Sequence, residues 1–186
     1  DVYKRQIYRA IQKCVLNRSG YLYDEPHFLL QQEVSEVGSY FSIIKAIAAG
    51  NHKLSAIAAV LEVKSTSLTK YLKTLMDLDI LERRVPVTEE NPEKRKRGLY
   101  KIKDNYLRFW FAFIYPNMSF IESGHSGIVM DKLRRGLTTN HIGFVYEDIC
   151  QERMWELNAN NAWPFHFSKL GGYWDAKNEI DIAALD

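Results

Sequence analysis

Hydrophobic residues between positions 39 and 75 recur at helical spacing in three segments separated by short polar breaks. We predict a helix over residues 39–49 with Ser39 as N-cap, a second helix from about Leu54, and a third capped by Ser65 or Thr66. Each segment gathers its apolar side chains on one face. These positions are Phe41, Ile44, Ile47 and Ala48, then Leu54, Ile57, Ala58 and Leu61, then Leu68, Tyr71, Leu72 and Leu75.

A strand hairpin is predicted directly after the third helix. Residues 80–87 alternate in polarity and include β-branched side chains, which indicates a strand. Residues 89–98 are polar, contain a proline and close on a glycine, so they form the loop to a partner strand at 99–103. Three helices and then a two-stranded hairpin is the order of a winged helix-turn-helix domain, which we assign to residues 39–103.

An unusually aromatic helix is predicted next, over residues 105–114, with Asp104 as its cap and Pro116 as its end. Such a helix can serve as a stacking platform for nucleic-acid bases. Alternatively, aromatic residues at nearly every position indicate a helix buried between two domains, and this density favours burial.

The remaining pattern alternates between helices and strands. Helices are predicted at 1–16, 27–33, 117–122, 127–136 and 140–157, and strands at 165–168, 173–175 and 179–185. The chain is therefore mainly α with an α+β part. We divide it into residues 1–38, the winged helix-turn-helix at 39–103, an aromatic helical linker at 104–138, and an α/β region at 139–186.

Composition excludes several protein classes. A hydrophobic content of 46% is that of a globular protein rather than a disordered one. The apolar runs are too short to span a bilayer, and no secretory signal is recognisable, so we expect no membrane partner. The only two cysteines, Cys14 and Cys150, lie far apart among apolar residues, so we expect reduced thiols and a cytoplasmic protein.

The net charge of +2 conceals an asymmetry along the chain. Residues 83–103 contain eight basic and three acidic side chains, whereas residues 139–186 contain three basic and eight acidic ones. These local balances of +5 and −5 predict different tasks for the two regions.

The polar face of the third predicted helix suits a nucleic-acid backbone. Hydroxyl and ammonium groups reach phosphate oxygens, and released counterions supply much of the binding free energy. A second cationic set lies on the hairpin. The candidate nucleic-acid-binding residues are Ser65, Thr66, Ser67, Thr69, Lys70 and Lys73 on the helix, Arg83 and Arg84 at the hairpin base, and Lys94, Arg95, Lys96 and Arg97 at its tip.

Two features limit this interpretation. The exposed helix face lacks the arginine, asparagine and glutamine that read base edges, so we expect sequence-tolerant backbone contact. The turn before the helix also lacks the glycine often found there. Winged helices additionally serve as protein-docking modules, and an interaction module without DNA binding remains the alternative.

Carboxylates in the last part of the chain are candidates for a metal site. Glu147 lies on a predicted helix, whereas Asp181 is flanked by isoleucines on the last strand and needs a metal or another partner there. The alternative is that Asp181 binds a backbone group or a basic side chain. The sequence has no phosphate-binding loop and no nucleophile elbow, and its five histidines lack metal-ligand spacing.

Several segments resemble the C-terminal half of a prokaryotic AAA-type ATPase family, often called archaeal ATPases. The most specific are Arg-Phe-Trp-Phe at 108–111 and Glu-Ile-Asp-Ile at 179–182, and others are Tyr-Leu-Tyr-Asp-Glu-Pro at 21–26 and Arg-Arg-Val-Pro-Val at 83–87. The resemblance covers nearly all of residues 7–186. In that family an ATPase domain precedes a winged helix, and a restriction-endonuclease-like domain follows.

The resemblance implies that residues 1–38 are the tail of an ATPase domain and its linker, and that 139–186 begin a truncated nuclease-like domain. It implies that Glu147 and Asp181 match the first two acidic positions of the nuclease motif, with the third beyond Asp186. By itself this fragment is then expected to need no cofactor and to be no enzyme. ATP and magnesium are implied for the parent protein.

The leading hypothesis is a DNA-binding module of an ATP-driven protein, with DNA and its own ATPase domain as partners. The alternative is a regulatory module that couples the ATPase domain to the nuclease-like domain without binding DNA.

Overall fold

The chain forms nine α-helices and two small antiparallel sheets within residues 2–91, 98–175 and 177–186, which are the residues that this computed structural model describes. The helices are α1 (Val2–Cys14), α2 (Glu25–Glu33), α3 (Val37–Ala48), α4 (Leu54–Val60), α5 (Ser65–Asp77), α6 (Asn105–Phe109), α7 (Met118–Glu122), α8 (Ser126–Leu137) and α9 (Gly143–Ala159). The strands are β1 (Leu81–Arg84), β2 (Leu99–Ile102), β3 (Lys169–Trp174) and β4 (Glu179–Leu185). Two π-helical turns (Trp110–Ile114 and Thr138–Ile142) and a 3-10 turn (Tyr115–Asn117) complete the helical part.

Helices α3, α4 and α5 pack around a shared apolar centre and lead into the first hairpin. Ile44, Ile57 and Leu75 are fully buried there, as the helical spacing of the sequence predicts. β1 pairs with β2 in antiparallel register, with Leu81 opposite Ile102. The helices and the hairpin therefore form one continuous unit.

The helix caps differ from the sequence prediction at two of three positions. Ser39 lies inside α3, which begins two residues earlier, so its prediction as N-cap is wrong. At α5 the N-cap is Lys64, and its carbonyl accepts hydrogen bonds from the backbone and hydroxyl of Ser67. Asp104 does cap α6, because its carboxylate accepts a hydrogen bond from the Leu107 amide at 2.7 Å.

The aromatic segment at 105–115 is part of the hydrophobic core. Trp110 and Phe111 are each 1% exposed, and both rings contact Phe41 of α3. The Trp110 indole donates a hydrogen bond to the Tyr23 carbonyl at 2.9 Å. Burial of these rings confirms the predicted core helix and excludes them as an exposed stacking platform for bases.

The C-terminal region differs more from prediction. β3 begins at Lys169, so the strand predicted at 165–168 is wrong, whereas β4 matches its prediction. Asp175 closes the turn by accepting backbone hydrogen bonds from Lys177 and Asn178, which hold the pKa of its carboxyl below the ordinary value. None of the 17 residues of α9 is fully buried.

The two cysteines are unpaired and partly buried. Among the described helices, none combines the length and the apolar content that crossing a membrane requires.

His141, in the second π-helical turn, leads to a prediction on pH dependence. Burial first, and then the charge of Arg108, lower its pKa, and its buried Nδ1 finds no hydrogen-bond partner in the described chain. A lowered pKa means that the unfolded chain binds more protons, so stability falls as the pH falls below the ordinary histidine pKa. We expect His141→Phe to reduce this loss and to cost no stability at neutral pH, because an unpaired polar atom is removed.

Urea unfolding of both proteins at neutral and mildly acidic pH measures this effect. His125→Asn, at an exposed histidine, is the control and should leave the pH dependence unchanged. An identical pH dependence in His141→Phe and the original protein would contradict the assignment.

Candidate nucleic-acid interface

The outer face of α5 carries the helical part of the candidate surface. Leu68, Leu72 and Leu75 are buried on the inner face. On the outer face the structure exposes Thr66, Ser67, Thr69, Lys70 and Lys73, while Ser65 is partly buried at the first turn. The helical period thus separates an anchoring stripe from a hydroxyl and lysine face.

Two lysines on this face have no acidic partner in the described part of the chain. No carboxylate there lies within 4.0 Å of the ammonium groups of Lys70 and Lys73, nor of that of Lys64 just before the helix. Two neighbouring hydroxyls bond to the helix itself, since Ser67 donates to the Lys64 carbonyl and Thr74 to the Lys70 carbonyl. Their oxygens still have lone pairs that can accept hydrogen bonds.

The turn between α4 and α5 holds a strained backbone position. Glu62 adopts a φ of 55°, in the left-handed region that favours glycine. This is the turn in which the sequence lacks the common glycine. Glu62 therefore occupies a backbone conformation that favours glycine.

The two arginines of β1 point to opposite sides of the strand, since neighbouring strand residues alternate. The Arg83 guanidinium lies beside the backbone of Gly98, where an added Cβ would be 2.4 Å from the arginine Nε. Arg84 faces α9 instead. The predicted tip residues Lys94, Arg95, Lys96 and Arg97 lie outside the described residues.

Arg84 forms ion pairs within β1 and with α9. Its Nη2 donates to Asp148 at 2.8 Å and its Nε to Glu82 at 2.5 Å, while Nη1 lies 3.8 Å from Glu147. Its side chain is only 25% exposed. The Arg84 side chain therefore contacts α9. The sequence analysis predicted instead that it would face a nucleic acid.

Sequence reasoning missed the groups that surround Arg84. Asp148 also contacts Arg108, at 3.5 Å, and the ring of Phe144 lies about 6 Å from both Arg108 and Lys101. Arg108 is the first residue of the Arg-Phe-Trp-Phe segment, and Asp148 directly follows Glu147. Their role depends on contacts between distant segments, so spacing alone carried no signal.

The two metal candidates line the same cleft of about 440 Å³ between the first hairpin, α9 and the second sheet. Burial raises the pKa of the Glu147 carboxyl above its ordinary value. The positive charges of Lys101 and Arg84 lower this pKa, whereas the negative charge of Asp181 raises it further. Asp181 is exposed and its neighbour Ile180 is 50% exposed, so the expectation that Asp181 needs a partner in an apolar strand is wrong. No group of three metal-ligating side chains occurs in the described part of the chain.

Comparison with known proteins relates the second half of the chain to an uncharacterised family. Residues 110–186 match DUF234, described as "Archaea bacterial proteins of unknown function". An uncharacterized protein of Methanocaldococcus jannaschii is 39% identical over 176 residues, which cover 95% of this chain and 39% of that protein. No solved structure matches. The similarity thus extends over nearly the whole chain, which spans only about two fifths of that archaeal relative.

Proposed function

We propose that this protein binds DNA through a winged helix-turn-helix formed by α3, α4, α5 and the β1–β2 hairpin. The single observation that carries the proposal is the exposed face of α5, on which Lys70 and Lys73, without carboxylate partners among the described residues, alternate with short hydroxyl side chains. In winged-helix proteins the second helix of the turn motif enters the major groove, and the hairpin contacts the flanking backbone. Here α5 occupies that place in the order of elements.

The proposed contact is with phosphates rather than with base edges. The exposed positions of α5 offer no arginine, asparagine or glutamine, whose planar groups read guanine or adenine through two hydrogen bonds. Lysine and hydroxyl groups contact the backbone, which is alike in every sequence. We therefore expect similar affinity for unrelated duplexes and strong dependence on salt.

The test is the double variant Lys70→Ala/Lys73→Ala, titrated with a labelled duplex at several salt concentrations. If each lysine neutralises one phosphate, the slope of log affinity against log salt should become shallower by about 1.8, at about 0.9 per phosphate. The affinity should also fall for every duplex sequence.

A charge-matched control is Lys13→Ala/Lys169→Ala, which removes two exposed lysines from α1 and β3. We expect this control to keep the original slope. Equal slopes for both double variants and the original protein would exclude α5 as the contact surface.

In the longer proteins we propose that this module belongs to an AAA-type ATPase with a nuclease-like C-terminal region. The support is the resemblance of the segments at 108–111 and 179–182 and the greater length of the archaeal relative. ATP, magnesium and any metal at Glu147 and Asp181 would then serve the complete protein.

A second candidate function is coupling between domains without DNA binding. The observation that favours it is the apolar surface of α9, where Tyr146 is 67% exposed, Ile149 54% and Phe144 44%. This candidate predicts no duplex binding at moderate salt, but direct binding to a separately produced ATPase domain. The salt titration above therefore discriminates between the two candidates.

A further inference from the structure

Helix α9 contacts the first hairpin through Asp148, whose carboxylate binds two arginines. Asp148 uses one oxygen for Arg84, at 2.8 Å, and the other for Arg108, at 3.5 Å. Arg108 is itself fixed, because it donates hydrogen bonds from Nη2 and Nε to the Ile102 carbonyl at the end of β2. A single acidic side chain therefore joins β1, β2 and α9.

These ion pairs are partly shielded from solvent. The side chains of Arg84, Asp148 and Glu147 are 25%, 24% and 18% exposed, and that of Arg108 is 13% exposed. Partial burial strengthens charged hydrogen bonds, because water and salt screen them less than they screen surface pairs. Breaking the Arg84–Asp148 contact is therefore costly unless another anion replaces the carboxylate.

A second contact joins the segment that follows β1 to the second sheet. The amide of Val87, just after β1, donates a hydrogen bond to the Gly172 carbonyl of β3 at 2.9 Å. Gly171 lies beside the Val87 side chain, since a Cβ added to it would be 3.7 Å from that of Val87. Two elements of the acidic region at 139–186, α9 and β3, thus contact β1 and the residues directly after it.

We propose that Asp148, with Glu147 beside it, competes with nucleic-acid phosphate for Arg84, so that α9 restrains the binding surface. This inference rests on the proposed function and names a regulation of the same surface. A guanidinium binds carboxylate and phosphate with the same planar donor geometry. The Nη2 donor that Asp148 occupies is therefore unavailable to a phosphate while α9 stays in place.

The restraint is reciprocal. A phosphate that takes the Nη2 donor of Arg84 displaces Asp148, so whatever draws α9 away from the hairpin raises the affinity for nucleic acid. By the same linkage, nucleic acid bound at Arg84 loosens α9. The fold thereby connects the basic and the acidic halves of the chain.

The test compares duplex binding of the full chain with that of Asp148→Asn across a salt titration. We expect the variant to bind about tenfold more tightly, the equivalent of one charge-assisted contact, and with a salt slope steeper by about 0.9. Glu147→Gln, which removes the more distant carboxylate, should act in the same direction and less strongly. If circular dichroism shows that Asp148→Asn folds poorly, Glu147→Gln provides the test instead.

Two comparisons separate this mechanism from a general loss of negative charge. Glu156→Gln removes the same charge from an exposed site on α9, where Glu156 pairs with Arg153, and should not steepen the slope. In an Arg84→Gln background, Asp148→Asn should gain no more than Glu156→Gln does. A full gain in that background would overturn the competition for Arg84.

The outcomes also separate this inference from the proposed function. Binding by the original protein with no gain in either carboxylate variant overturns the restraint alone. Binding that appears only in Asp148→Asn supports the restraint. The absence of binding in all proteins, including both carboxylate variants, overturns the restraint and the proposed function together.

Discussion

Replacement of Trp110 by alanine is expected to lower the free energy of unfolding by about 3–5 kcal/mol, the usual cost of removing a large buried aromatic side chain. Trp110 stacks on Tyr115 at 5.4 Å and contacts Phe41 and Phe111 edge-on. Its removal leaves a cavity where helix α3 meets the aromatic segment. It also leaves the Tyr23 carbonyl without its donor.

Urea unfolding followed by circular dichroism measures this loss. The control is Trp155→Ala, which removes the same side chain from a site that is 42% exposed, and we expect less than half the effect there. Comparable losses for the two variants would mean that the aromatic segment is not the organising centre of the fold.

Gly20→Ala is expected to be the second most damaging change, with a loss of about 1–3 kcal/mol or more. A Cβ at this position would be 2.3 Å from the carbonyl oxygen of Cys14 and 2.9 Å from that of Asn17, and neither backbone atom can yield easily. The loop between α1 and α2 would have to open. That loop supplies the Tyr23 and Leu22 carbonyls to which Trp110 and Tyr106 donate hydrogen bonds.

Gly38→Ala is the matched control for this prediction. Gly38 lies in α3 with open space around its missing Cβ, so alanine should be neutral or should stabilise the helix by up to about 1 kcal/mol. Thermal and urea unfolding of the two variants side by side test the contrast. An unchanged free energy of unfolding in Gly20→Ala would contradict the prediction, because it would show that the loop backbone can move to admit the added Cβ.

The sequence predicted the elements whose hydrophobic period is regular. Leu68, Leu72 and Leu75 repeat along α5 and are buried as expected, and the strands of the first hairpin fall within their predicted ranges. The π-helical turns could not be predicted, because between Trp110 and Ile114 nearly every residue is apolar and no period can be distinguished. The cap at Ser39 failed because α3 begins two residues earlier, at Val37, and a sequence pattern locates helix ends only to within a few residues.

The candidate surface was predictable only where it is local. The lysine and hydroxyl face of α5 follows from a helical period within 13 residues. The partner of Arg84 stands 64 positions further along the chain, and no spacing rule connects the two. Charge balance indicated that the regions at 83–103 and 139–186 differ in sign, but not that they touch.

The two π-helical turns mark places where the helical path holds one residue more than ordinary winding needs. Their hydrogen bonds reach one residue further than those of an α-helix, so each turn takes up an additional residue. Deleting one residue from Trp110–Ile114 would therefore return the turn to α-helical winding, whereas the same deletion within α5 would rotate the residues that follow by about 100° around the helix axis. Homologues that are shorter by one residue are therefore expected to have lost it in a π-helical turn rather than in a regular helix.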